Sequence, residues 1–286
     1  MTSDDAPPPA DAPAPADAPA PSRVNKEAPH PQLPVVQRLR VRHARRGRLR
    51  FSSHRDFQRA FERAIRRAQV PIAFSSGFSP HPRISYAGAA PTGAASEAEY
   101  VEIALTAACD PERVCVALDA ALPPGLDVLE VVQARAGDLA GRLQASEWLI
   151  ELPGRSQEQI DTVVAAFLAT DRVEVTRLTK QGVRHFDARA AVLILEPAID
   201  VADKYRDGFG GATPLAADPC AILRLVVRHA VPAVRPDDVL TGLSLVGHVA
   251  AGAPPRLTRL AQGPLGDDGR IGDPLAPDRG DATVMS

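Results

Sequence analysis

The stretch QRLRVRHARRGRLRFSSHRDFQRAFERAIRRAQ, residues 37–69, passes from one hydrophobic period to another, and that change sets the fold class. In its first seven residues Leu39 and Val41 alternate with Arg38, Arg40 and Arg42. A period of two marks a half-buried strand, here with apolar side chains on one face and guanidiniums on the other. ARRG then offers a turn and RLRFSS resumes the alternation, so residues 36–52 predict a hairpin. From there the period lengthens. Phe57, Ala60, Phe61, Ala64, Ile65 and Ala68 recur at helical spacing, with Arg55, Arg59, Arg63, Arg66 and Arg67 on the outer face. Ser53, followed three residues later by Asp56, is a capping-box pattern that starts this helix.

Strands and helices continue to alternate outward from that stretch. EYVEIALT (99–106) and LDVLEVV (126–132) read as strands, and DPERVCVALDAAL (110–122) places Asp before Pro at a helix start. After ARAGDLAGRLQ (134–144) a similar order returns: strand 146–152, helix 156–170, a hairpin across TKQGVRHF, strand 220–228, helix 236–245 and strand 255–261. This order predicts an α+β protein of two tandem ferredoxin-like (split β-α-β) units with antiparallel sheets, the first over 35–134 and the second over 145–263. Residues 197–219, rich in Gly, Asp and Ala, read as an insertion in the second unit. The flanks read differently. Residues 1–34 are largely Ala and Pro with scattered Asp, and residues 264–286 are rich in Asp, Gly and Pro, so both are expected to be disordered tails.

A chain of 286 residues with 45% hydrophobic residues can bury a core of useful size. Cys109, Cys115 and Cys220 are odd in number and at no metal-ligand spacing, so neither a disulfide framework nor a metal site is implied, and no cofactor is expected. No run approaches the roughly 18 apolar residues of a membrane helix, and the N-terminus lacks a basic-then-apolar signal. The expectation is a soluble, cytoplasmic protein without a membrane partner.

Charge is segregated. The whole chain carries a net charge of −2, yet residues 35–83 hold thirteen Arg, no Lys and two acidic residues, a local net of +11. Arginine matters here because its planar guanidinium can grip phosphate bidentately and stack on bases. Arg38, Arg40, Arg42, Arg55, Arg59, Arg63 and Arg66 are therefore candidate phosphate or RNA contacts. FSSGFSPHPRISYAG (74–88) adds a second set. Prolines on both sides of His81 hold it on a stiff extended segment. Ser75, Ser76 and Ser79 supply hydroxyls, Gly77 admits a close backbone approach, and Arg83 supplies a fork. That inventory suits an anion. The plain alternative is a packed loop in which His81 bonds a backbone carbonyl and Arg83 pairs with Glu97 or Glu99. His54, just inside the helix start, is expected to be neutral, and whether it meets His81 is open. Asp187 and Arg189 are two apart on a predicted strand and read as an ion pair between neighbouring strands.

FSSH.D, GFSPHPRISYA and SEAEYVEI, with the weaker FDAR, RPDDVL and RLTR that ends in Arg259, resemble the radical-SAM-associated domain of unknown function. That domain is found fused to radical S-adenosylmethionine proteins or as a separate chain. The resemblance implies a radical-SAM protein as partner and names no reaction. The chain itself has no closely spaced cysteine triplet to hold an iron–sulfur cluster, no P-loop, no paired-His motif and no serine elbow.

Two function classes follow. One is a non-catalytic companion of a radical-SAM protein that binds RNA or another phosphate-bearing substrate through the Arg-rich face and loop 74–88. The other is an enzyme acting on nucleic acid or a phosphorylated metabolite with His81, Arg83 and a carboxylate such as Glu99. A protein-docking adaptor is the third reading. Aromatic residues make up only 4% of the chain, and Phe57 and Phe61 are assigned to the core, so RNA is expected to bind through backbone contacts and Arg stacking.

Overall fold

A computed structural model describes residues 33–135, 137–179, 182–198, 219–247 and 253–279. The elements of the first half are β1 (Gln37–Arg45), α1 (His54–Arg67), β2 (Ile84–Ala87), β3 (Ala95–Leu105), α2 (Pro111–Ala121) and β4 (Val128–Gln133). Those of the second are α3 (Leu139–Arg142), β5 (Ala145–Pro153), α4 (Gln157–Ala169), β6 (Glu174–Thr179), β7 (Gly182–Asp187), β8 (Val192–Pro197), β9 (Cys220–Arg228), α5 (Pro236–Gly247) and β10 (Arg256–Gly263). The architecture is α+β.

One eight-stranded sheet runs through the molecule in the order β4-β1-β3-β10-β5-β9-β8, with β2 also paired to β3, while β6 and β7 form a separate ribbon. All its ladders are antiparallel except the short one where β10 meets β3, Thr258 opposite Ala95 and Arg259 opposite Ser96. That junction is the seam between the halves. One edge of β3 takes β2 along Tyr100–Ile103 and β10 at Ala95–Ser96.

The expected helices start where side chains satisfy the first free amides. Ser53 and Asp56 form the reciprocal capping box of α1, Ser156 and Gln159 that of α4, and Asp110 caps α2 ahead of Pro111. Asp238 in RPDD accepts the Arg235 N–H at 2.7 Å, so that motif works as the start of α5. Helix α1 buries Phe57, Phe61, Ala64 and Ile65 against Leu39, Val41, Val101 and Ile103. Across the seam α4 and α5 bury Ile160, Val163, Phe167, Val239 and Leu243 against Trp148, Ile150, Leu223 and Leu225. Full burial of a side chain such as Phe61 or Phe167 contributes about 1.5–3 kcal/mol, so these two layers supply most of the driving force.

Two expectations are corrected. Residues 36–52 are not a hairpin: Gly47–Phe51 closes into a 3-10 turn. Both edges of β1 are taken, by β3 and β4, and the Arg46 N–H bonds the Gly125 carbonyl at 2.8 Å, which leaves no place for a second arm. Residues 264–279 are not a tail either. They turn back across the other face of the sheet, where Leu275 is fully buried beside Tyr100, Val132, Leu139 and Leu143. Residues 1–32, 199–218 and 280–286, which take in most of both expected tails and of the insertion, lie outside the described residues. No helix among the described residues is long and apolar enough to cross a membrane.

Candidate functional site

The arginines of residues 35–83 divide into two populations. Those of β1 are engaged in contacts within the fold. Arg40 was expected on a solvent face; it is 1% exposed, with Nη1 on both oxygens of Asp278 at 2.8 and 2.7 Å and Nε on Glu102 at 3.0 Å. Its alternation in β1 is as expected, but the C-terminal segment covers that face and brings the carboxylate. Arg142 bonds Asp278 as well, at 2.6 Å. Arg38 pairs with Glu102 at 3.1 Å, and Arg42 donates to the Glu97 carbonyl at 3.0 Å. Arg40 and Arg42 are structural contacts, whereas Arg38, its side chain 45% exposed, also stays open to solvent.

The arginines of α1 stay outside. Arg55, Arg59, Arg63, Arg66 and Arg67 are exposed, and none of them forms an ion pair among the described residues. The loop that follows is a narrow ribbon. Phe74 bridges Pro82, and Ser75 clasps His81 twice, its N–H donating to the His81 carbonyl at 2.9 Å and its Oγ accepting the His81 N–H at 3.0 Å. Ser75 is therefore a ribbon strut, while Ser76, Ser79 and the His81 ring face solvent. Arg83 sits half-buried at the ribbon's base, without an ion pair among the described residues. Its anticipated partners are taken: Glu97 holds Arg46, and Glu99 holds Arg259.

Aromatic side chains were missed by sequence reasoning. Phe57 and Phe61 are core, as expected, but Phe51, Phe74 and Phe78 are 61%, 43% and 76% exposed. The signal was present, since Phe51 ends a stretch that makes no strand and Phe74 and Phe78 stand within a loop otherwise made of Ser, Gly and Pro. Arg50 lies over the Phe51 ring at 4.8 Å.

At the seam lies a second polar group. Arg259 of β10 reaches across to β3, bonding Glu99, the Ser96 hydroxyl at 3.2 Å and the Gly88 carbonyl at 2.7 Å, with its guanidinium over Trp148 at 5.5 Å. Gln262 donates to the Ala98 carbonyl at 2.6 Å and approaches Gly88 so closely that a Cβ there, at φ +58°, would stand 2.6 Å from its Oε1. Burial opposes the charge on Glu99, but Arg259, His43 and Arg45 outweigh it and hold the carboxyl down at about 2. His43, stacked on Phe57 at 4.5 Å, is pushed by burial down to about 4 and is neutral at pH 7. His54 packs edge-on against Tyr86 at 4.9 Å, beside this group, and no hydrogen bond or ring contact joins it to His81 among the described residues.

Asp187 and Arg189 do not form the expected ion pair. Asp187 accepts the backbone N–H groups of Val173 at 3.0 Å and Arg189 at 2.9 Å, while the Arg189 guanidinium caps the carbonyls of Val192 and Leu168. The chain leaves β7 into a 3-10 turn at Arg189–Ala191, so the alternation that would have paired them stops at Asp187. Among the described residues no three His, Cys, Asp or Glu side chains gather as metal ligands.

Residues 38–236 match a bacterial family described as "Uncharacterized protein conserved in bacteria (DUF2344)". The chain belongs to this family. Nothing in that description links DUF2344 to radical-SAM proteins. No curated protein matches the chain. Among solved structures, a Cbf5-Nop10-Gar1 complex is similar at 11% identity and a TM-score of 0.31, covering 63% of this chain and 40% of that one. An unknown protein from Galdieria sulphuraria is similar at 18% identity and a TM-score of 0.22, covering 79% and 99%. Likenesses this low leave the function of this DUF2344 chain to its own residues.

Proposed function

We propose that this chain is a cytoplasmic, non-catalytic binding subunit that holds single-stranded RNA on the outer face of α1 and the ribbon at 74–82, for a radical-SAM partner. The observation that carries this reading is the row Arg55, Arg59, Arg63 and Arg66, exposed and in no ion pair among the described residues, on a helix whose other face is fixed to the core. Phosphate contacts of that kind supply most of the affinity for nucleic acid, and exposed aromatic rings such as Phe51, Phe74 and Phe78 add stacking platforms for unpaired bases. The radical-SAM partner rests on the sequence resemblance. The strand orders β4-β1-β3-β2 and β10-β5-β9-β8 support reading the halves as two ferredoxin-like units joined at the seam.

The test is a salt titration of RNA affinity by fluorescence anisotropy. The wild-type chain is expected to bind a single-stranded RNA at about 50 mM salt, with log K falling linearly against log salt. Arg59→Ala, Arg63→Ala and Arg66→Ala should each flatten that slope by roughly 0.7 and leave thermal unfolding unchanged. Binding indifferent to salt and to all three substitutions would sink the proposal.

A further inference from the structure

Where α1 ends, a cleft of about 340 Å³ opens between residues 68–71 and the start of α2. Val70, Pro71, Val114 and Ala117 give it apolar walls, of which Val70 and Val114 are buried. Gln69, Asp110 and Arg113 line it too, and all three are exposed. Apolar walls with a few polar groups are the usual make-up of a ligand pocket. The volume is at the small end of the roughly 300–1,000 Å³ of such pockets, enough for one ring system and too little for a peptide.

The walls are held in place. The Gln37 amide clasps Cys109 on both sides, donating to its carbonyl at 3.0 Å and accepting its N–H at 2.7 Å. Thr106 donates its N–H to the Pro71 carbonyl at 2.8 Å and its hydroxyl to the same oxygen at 3.2 Å. A cleft fixed in this way needs little ordering when a ligand enters.

Gln69 is the unusual residue. The Val70 N–H returns to the Ile65 carbonyl at 3.1 Å and the Gln69 N–H to the Arg66 carbonyl at 3.2 Å, the paired closure that ends a helix on a left-handed residue. Gln69 takes that position at φ +53°, and among the described residues no other non-glycine residue has a positive φ. Glycine adopts this conformation without strain, whereas a residue with a Cβ does not. The chain keeps an amide where helix closure alone favours glycine, and strain of this kind gathers at binding sites.

The charges nearby say what kind of group the amide meets. Arg66 and Arg67 precede it in the last turn of α1 and Arg113 stands on the α2 side, none of them in an ion pair among the described residues. Asp110 carries a negative charge within the cleft, with Glu112 beside it, and its Oδ1 already accepts the Glu112 and Arg113 N–H groups at 2.8 and 3.3 Å. These carboxylates oppose an anion inside. The occupant is neutral and its flanks are negative, which describes a nucleobase between two phosphates. The row Arg59, Arg63, Arg66 leads to this cleft, so a strand that follows the row reaches it.

We propose that the cleft takes one unstacked base of the single-stranded RNA held on α1, with the Gln69 amide bonding a base edge that sets a donor beside an acceptor, as adenine does. The proposal rests on the RNA reading for the strand that delivers the base, and adds a place where sequence is read. A Gln amide pairs with the N6 amine and N7 of adenine, and the unstacked bases of RNA expose such edges.

The test is fluorescence anisotropy on the full chain with an oligouridine about eight nucleotides long and the same oligomer carrying one central adenosine. The adenosine is expected to tighten binding about 10-fold. Gln69→Gly should abolish that preference while keeping the affinity for oligouridine, its salt slope and an equal or higher melting temperature, since the strain is gone. A merely structural Gln69 would leave the preference untouched. Ala117→Leu, which fills the cleft from α2, should abolish the preference as well. Both oligomers binding alike, with the salt slope intact, overturns the base site and leaves the arginine row standing, and so does a preference that survives both substitutions. Should neither oligomer bind, calorimetric titration with uncharged adenosine decides. Binding that Gln69→Gly removes keeps the base site and ends the RNA reading, and no binding below about 10 mM ends both.

Discussion

Asp278 ties β1, α3 and the turn after β4 to the C-terminal segment. Its side chain is fully buried, and it accepts from Arg40, Arg142 and the Arg135 N–H. Removing one partner from such a group strands a buried charge, so Asp278→Ala should destabilise the fold by about 3–5 kcal/mol in urea unfolding, with Asp278→Asn milder. None of this was legible, because strand alternation tells which side Arg40 leaves β1 from and not what covers that side 238 residues later. The seam has its own signature in pH. The unfolded chain protonates His43 near 6.5, whereas the buried ring resists until about 4. Between those values the unfolded state binds more protons, so stability falls as pH drops from 6.5 to 4, by about 3 kcal/mol. Glu99 acts lower: its depressed carboxyl contributes stability that is lost as pH falls from about 4.5 toward 2. Chemical denaturation at a series of pH values should show both windows; His43→Gln should remove the upper one and, by taking away one of the cations that hold the Glu99 carboxyl down, narrow the lower.

Helix α1 was the most legible element, its period and its capping box both being local signals. Ser53→Ala should cost about 1 kcal/mol, read in urea unfolding, because the Asp56 N–H loses its acceptor. The strand-like alternation of RLRFSS misled for the opposite reason: alternation is necessary for a strand and does not supply a free edge to pair with. At the ribbon, rings and charges should separate by measurement. Phe78→Ala should weaken single-stranded RNA by about 1–3 kcal/mol while leaving the salt slope unchanged, and should barely affect duplex, whose bases are already stacked. An equal loss for both RNAs would remove Phe78 from the interface.

At the scale of the whole molecule, the alternation of strands and helices was readable and the single continuous sheet was not, since nothing local announces that Thr258 and Arg259 will meet Ala95 and Ser96. The C-terminal segment was hidden by composition, because Asp, Gly and Pro suit a tail until Leu275 and Asp278 are given places to go. A chain ending at Gly263 should lose thermal stability and unfold over a broader range, since Arg40 and Arg142 would be left without Asp278. The place of β10 at the middle of the sheet also bears on how the protein is made. Translation delivers β1 to β4 long before residues 256–263, so a nascent chain that has already assembled its first core still shows part of the β3 edge unpaired. An unpaired edge recruits other strands. During synthesis the hazard is greatest at the position that becomes the centre of the finished molecule, and it ends only when the last strand arrives to fill it.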